Sequence, residues 1–258
     1  MATYIGTHGG KVQDYTTDPD NPIVGQVWYN TTSNALSFRA EAAGAWTSGN
    51  AMNTARRSTG GIGIKTAALA VGGYTTTEVA ITESYNGTNW TEVNDLNDAR
   101  RVYGTAGTST AGLAFGGNTP GATADTETWN GTNWTEVNDL TTARDENAGT
   151  GTNTAALCFG GGPPNVALTE SWNGTNWTEV NDLNQARRLT GAGAGTQAAA
   201  LTFGGDGPGS KSVLTESWNG TNWTEVNDLN TARYYAAAGG TQTSAIIAGG
   251  VDTTADTE

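Results

Sequence analysis

The eleven residues NGTNWTEVNDL occur four times without a change, at Asn86–Leu96, Asn130–Leu140, Asn173–Leu183 and Asn219–Leu229. A chain that repeats itself at a near-fixed period builds like units, each burying its apolar face on the next. Trp90, Trp134, Trp177 and Trp223 lie 44, 43 and 46 residues apart, and Trp46 stands 44 residues before the first. Two other markers also occur five times: an arginine at 56, 100, 144, 187 and 233, and a glycine pair beginning at 72, 116, 160, 204 and 249. Five units are therefore expected.

The unit that begins at Arg101 divides into four short strands. The first, around Tyr103–Thr108, is rich in Gly, Ala and Thr. The second, Gly112–Gly117, is apolar and ends in the glycine pair. The third runs into Trp129, and the fourth carries Trp134 and Val137. Between the last two lies Asn-Gly, the strongest short hairpin signal, read as a type I′ turn with positive φ at both central residues. The 37 glycines and abundant β-branched Thr disfavour helix. Four antiparallel strands in about 40–50 residues make one propeller blade. The predicted fold is all-β: a five-bladed β-propeller of four-stranded antiparallel blades. The small first strands crowd the axis. The two tryptophans per unit pack between blades, each able to bury about 150–250 Å².

The two chain ends complement each other. The sequence stops at TADTE, where SWNG would follow, and a fourth strand without its blade lies at Gly44–Arg56. One composite blade is predicted, with the ring closed by pairing of N- and C-terminal segments. Thr254–Glu258 and Asn34–Ala40 compete for its third strand, Phe38 replacing the usual tryptophan in the second case. Such pairing removes exposed sheet edges. The expected organisation is an arm at 1–34, containing a hairpin in GQVWYNTTSNALSF, followed by a propeller at 35–258.

Arg56, Arg100, Arg144, Arg187 and Arg233 hold one slot, and Glu83, Glu127, Glu170, Glu216 and Glu258 another. A regular set of Arg–Glu pairs between strands or blades is expected. Asp95, Asp139, Asp182 and Asp228 are read as turn caps bonded to the backbone. Calcium is the alternative, but no carboxylate cluster like an EF-hand loop is present.

Against this constancy two places vary. One follows the arginine: RST (57–59), RVY (101–103), DEN (145–147), RLT (188–190) and YYA (234–236). The other follows the glycine pair: YTTTEVAI, NTPGATAD, GPPNVAL, DGPGSKSVL and VDTTAD. With strands running up, down, up, down, both places fall at the same end of the sheets, and the constant NGTN turns fall at the opposite end. Loops on a rigid scaffold commonly carry recognition. The candidate ligand-binding residues are Arg57, Tyr74, Arg101, Tyr103, Asp145, Glu146, Asn147, Arg188, Tyr234 and Tyr235, with Tyr103, Tyr234 and Tyr235 expected to be exposed, since Tyr and Arg are common interface anchors. Drift in unconstrained loops is the competing explanation.

The net charge of −13 argues against nucleic acid, and three lysines and nine arginines form no basic patch. No apolar run reaches membrane-spanning length, and MATYIGTHGG lacks the features of a signal peptide. Cys158 is the single cysteine, so no internal disulfide is expected, and synthesis in a reducing cytoplasm follows. No cofactor or metal is expected. Catalysis is disfavoured: His8 is the only histidine and lies in the arm, and Cys158 fills a small core slot held elsewhere by Ala114 and Thr202. A carboxylate-pair glycosidase stays open, to be tested by polysaccharide turnover. NGT and NWT are read as turns rather than glycosylation acceptors.

The glycine pair, an aromatic residue and a following tryptophan (Tyr85/Trp90, Trp129/Trp134, Trp172/Trp177, Trp218/Trp223) resemble kelch repeats over about residues 46–258. The spacing of five is one short of the kelch pattern, and copper-oxidase relatives of that family use histidines this ring lacks. GQVWYNTT preceding AW resembles segments of bacteriophage tail-fibre and virion proteins. That resemblance implies a virion-attached protein made in the host cytoplasm, other virion proteins as partners through 1–34, and a host-surface glycan or receptor at the variable face. Multivalent display, including a homo-oligomer, would strengthen weak sites. A purely structural spacer or decoration role is the alternative.

Overall fold

The computed structural model describes residues 13–17, 19, 26–38, 48–101, 103–188, 193–207 and 210–250, and the chain divides into two compact units, 1–48 and 49–258. In the first unit β2 (Val27–Asn30) and β3 (Ala35–Phe38) form a hairpin, with Val27 opposite Phe38. β1 (Gln13–Tyr15) runs parallel to β2. The Asn30 side chain closes the turn by accepting the N–H groups of Thr32 and Ser33, both at 3.0 Å. The segment put forward as a third strand for a closing blade is thus paired, over 35–38, with β2.

Among its described residues the second unit contains four antiparallel sheets of four strands, each in sequential order. The first is β4 (Gly60–Ile64), β5 (Ala67–Tyr74), β6 (Glu78–Tyr85) and β7 (Trp90–Val93). The second is β8 (Gly104–Thr108), β9 (Ala111–Phe115), β10 (Thr126–Trp129) and β11 (Trp134–Val137). The third is β12 (Ala148–Gly151), β13 (Ala156–Phe159), β14 (Thr169–Trp172) and β15 (Trp177–Val180). The fourth begins with β16 (Gly193–Gly195) and β17 (Ala200–Phe203), passes through a small hairpin, β18 (Asp206–Gly207) and β19 (Ser210–Lys211), and ends with β20 (Thr215–Trp218) and β21 (Trp223–Glu225). β22 (Ala237–Thr241) and β23 (Ser244–Ala248) pair as the first two strands of a fifth repeat. No helix occurs among the described residues. Trp46, the remainder of 39–47 and the stretch 251–258 lie outside the described residues.

The sheets are propeller-like blades, and each repeated residue has a definable task. First strands of successive sheets meet so closely that some positions admit only glycine. A Cβ on Gly149 would come within 2.4 Å of the Phe115 ring and 2.9 Å of the Thr105 carbonyl oxygen. The fourth-strand tryptophans bridge sheets: Trp177 packs edge-on against Phe115 at 4.8 Å, and Trp223 against Phe159 at 5.0 Å. Their indole N–H groups donate backwards to threonine hydroxyls of the preceding sheet, Trp134 to Thr82 (3.2 Å), Trp177 to Thr126 (3.1 Å) and Trp223 to Thr169 (3.0 Å). The third-strand tryptophans complete the same clusters, Trp172 lying with Leu113, Phe115 and Leu140 of the second sheet.

The NGTN turn departs from the sequence expectation. It is a four-residue loop in which the Asn86 side chain accepts the N–H groups of Thr88 (2.9 Å) and Asn89 (2.8 Å). Only its glycine takes positive φ, +93° at Gly87. The asparagine side chain substitutes for a backbone acceptor, so a left-handed asparagine is not needed. The strand pairing is as expected, with Tyr85 opposite Trp90.

The Arg–Glu pairs form in four repeats: Arg56–Glu83, Arg100–Glu127 (2.5 Å), Arg144–Glu170 (3.0 Å) and Arg187–Glu216 (2.9 Å). All eight side chains are buried. Each arginine lies on the link arriving from the preceding repeat, and each glutamate on the third strand of the sheet that follows. The glutamate also accepts a backbone N–H of that link, from Asn53 (2.7 Å), Asn97 (2.8 Å), Thr141 (2.7 Å) or Asn184 (2.8 Å). Burial pushes the Glu83 carboxyl up. The Arg56 guanidinium and the N–H groups of Asn53 and Thr54 outweigh this and hold it below the usual carboxylate range. The repeated aspartates accept an N–H of the third strand, Asp95 from Thr82 at 2.9 Å and Asp182 from Thr169 at 3.0 Å.

Candidate functional site

Main-chain hydrogen bonds shape the variable end. The second glycine of each pair has φ between +100° and +119°, and Gly73, Gly117, Gly161 and Gly250 lie against the carbonyl of the residue after the repeated arginine. A Cβ on Gly161 would meet the Asp145 oxygen at 2.7 Å. Glycine is required there so that the two variable stretches can join. They do so by short antiparallel bridges: Arg57 with Tyr74, Arg101 with Asn118, Asp145 with Gly162, and Arg188 with Asp206. The next residue on the first stretch takes a left-handed backbone without being glycine, at Ser58 (+54°), Glu146 (+53°) and Tyr235 (+59°). Such residues are uncommon and cluster at functional positions.

Most of the expected residues come together here. Arg57 and Arg101 both lie over the Tyr74 ring, at 4.7 and 4.9 Å from its centroid. Arg101 also pairs with Glu78 at 3.0 Å. Asn118 donates to Asp145 at 2.7 Å. Arg188 pairs with Glu146 at 3.3 Å and Asp206 at 3.2 Å. The Tyr235 hydroxyl donates to Glu146 at 3.4 Å, joining the links that lead into the third and fifth repeats. Tyr234 stacks on Tyr235 at 5.1 Å, and Tyr235 is half exposed. Burial pushes the Glu146 carboxyl up, Arg188 opposing and Asp145 reinforcing it.

Two expected members do not belong. Tyr103 is buried, not exposed: it lies between the first two sheets and its hydroxyl donates to the Val71 carbonyl. Burial pushes that hydroxyl up, against the charge of Arg100. Asn147, in the equivalent slot, is also buried and donates to the Phe115 carbonyl (3.3 Å) and the Cys158 sulfur (3.1 Å). In these two repeats the third residue after the arginine directly precedes the first strand and is buried, as Ala236 is in the fifth. Glu78, Asn118 and Asp206 are the members that sequence reasoning missed. Asn118 and Asp206 directly follow the glycine pair, the register that marks Tyr74, and this was the available signal.

Cys158 is buried in the wall between repeats, and burial pushes its thiol up. Among the described residues, no group of three or more His, Cys, Asp and Glu side chains is arranged to hold a metal ion. No protein-family model matches the chain, and no curated protein matches it.

Proposed function

We propose that this protein is a non-catalytic recognition module, a five-bladed kelch-like propeller that binds a host-surface glycan or protein through its variable end. The observation that carries the reading is convergence: residues as far apart in sequence as Arg57, Glu146, Arg188 and Tyr235 are linked through Tyr74, Arg101, Asn118 and Asp145 at one end of the sheets, where most side chains differ between repeats. The opposite end repeats the same NGTN loop four times. The virion context, with 1–34 as the attachment segment and display in several copies, follows from the resemblance of GQVWYNTT to tail-fibre sequences. Binding of the full chain to a glycan array, and its loss in the double variant Tyr234→Ala and Tyr235→Ala, tests the reading. Unchanged binding by that variant would sink it. Mutual pairing of Arg101 with Glu78 and of Arg188 with Asp206 favours the second reading, a structural spacer whose surface is self-satisfied.

Closure of the ring by the chain's own ends belongs to this proposal. Asn50 donates to Asn89 at 2.9 Å, as Asn94 does to Asn133 at 2.7 Å and Asn138 to Asn176 at 2.8 Å. Residues 50–56 thus stand to the first sheet as 94–100 stand to the second. In this proposal the sequence that precedes them supplies the outer strand of the blade that β22 and β23 begin. A groove of ≈ 220 Å³ beside β22 and β23 is lined by Leu201, Phe203, Thr215 and Leu229. These are the counterparts of Leu157, Phe159, Thr169 and Leu183, which hold Trp218 and Trp223. The closure reading is tested by indole N–H exchange in the full chain, with the Trp46 signal identified by Trp46→Phe: exchange slowed at least about tenfold relative to an exposed indole is expected, and free exchange at Trp46 would leave the ring open.

A further inference from the structure

We propose that the variable end selects an anionic, hydroxyl-bearing glycan, its acid group held by Arg57 and Arg101 and its hydroxyls by Asp145 and Glu146. This rests on the recognition reading above and narrows its ligand class. The cluster is electrically divided. On the first two repeats Arg57 is exposed, its guanidinium set over the Tyr74 ring, and the neighbouring Arg101 shares that ring while pairing with Glu78. Two cations face one carboxylate there, in a chain whose net charge is −13. An arginine held over an aromatic ring is pre-organised to take a planar acid group in two-point hydrogen bonds.

The third and fourth repeats offer the reverse. Asp145 is 6% exposed, and one of its oxygens accepts from Asn118 while the other, Oδ1, has no hydrogen-bond partner. Glu146 Oε2 is buried, ion-paired with Arg188 at 3.3 Å, and makes no hydrogen bond. Buried acceptors left open call for donors, and sugar hydroxyls supply them. Tyr235 stands between the halves: burial pushes its hydroxyl up, Glu146 adds to this, and Arg101 acts in the opposite sense. Its half-exposed ring is a platform for the apolar face of a sugar. Cation, acceptors and aromatic platform together match an acidic sugar better than a neutral or cationic one.

Calorimetric titration of the full chain with four polysaccharides tests this: alginate (uronate carboxylates), dextran sulfate, neutral dextran and cationic chitosan. Alginate is expected to bind about tenfold or more tightly than dextran, weakening as salt is raised. The double variant Arg57→Gln and Arg101→Gln, with an unchanged melting profile, is expected to lose about tenfold or more of the alginate affinity. Tyr235→Ala weakens every bound glycan. Preference for dextran sulfate over alginate supports the anion site and assigns it to sulfate. Dextran or chitosan binding as well as alginate overturns the inference but leaves the recognition reading standing, as does a double variant that binds alginate normally. Binding of none of the four overturns the inference and leaves the recognition reading to the glycan-array result.

Discussion

Trp177→Ala is expected to lower stability by about 3–5 kcal/mol, the usual cost of truncating a buried tryptophan. The indole is 5% exposed, packs on Phe115 and Trp172, and donates to Thr126. Its loss therefore opens a cavity at the junction of two sheets and leaves a buried hydroxyl without its donor. Trp177→Phe retains an aromatic ring and should cost less. Trp90→Ala should also cost less, because Trp90 is only half-buried and donates to the Asn50 carbonyl in place of a threonine. Denaturant unfolding followed by tryptophan fluorescence gives the order. Equal losses at Trp177 and Trp90 would remove the case that inter-sheet indoles hold the unit together.

Glu127→Ala should cost a similar amount, about 3–5 kcal/mol, for a different reason. It strands a buried Arg100 guanidinium, leaving chiefly its bond to the Asp125 carbonyl at 2.7 Å, and releases the N–H of Asn97. Replacing both partners together, Arg100→Met with Glu127→Leu, should cost clearly less than Glu127→Ala, since an uncompensated buried charge is worse than no charge. The homologous pair of the first repeat sets an acid limit. Glu83 sits below its ordinary pKa when folded, so its contribution is present above the unfolded value of about 4.3 and is lost as pH falls through the folded value. Stability measured from pH 5 downward should fall less steeply in Glu83→Gln than in the parent chain.

The strands were legible because each is bracketed by a marker the chain repeats: arginine, glycine pair, tryptophan, Asn-Gly. The loop between the tryptophans was placed correctly and built wrongly. Asn-Gly signals both a two-residue turn and an asparagine-anchored four-residue loop, and the side chain of the first asparagine, accepting two backbone N–H groups, makes the second. Tyr103 misled because a tyrosine in a loop-like stretch reads as exposed, whereas its register beside Gly104 turns it between sheets. Glu78 and the Tyr235–Glu146 contact carry no periodic signal. They depend on how far successive sheets rotate, which local sequence does not encode. The parallel strand at 13–15 has no sequence marker either.

The bridges at the variable end use only main-chain atoms. The same pair of N–H···O bonds holds Arg57 to Tyr74 and Asp145 to Gly162. Side-chain identity at these positions therefore makes no demand on the scaffold. Single codon changes, or recombination between near-identical repeats, can therefore rewrite the surface chemistry of this end with the folding problem already solved.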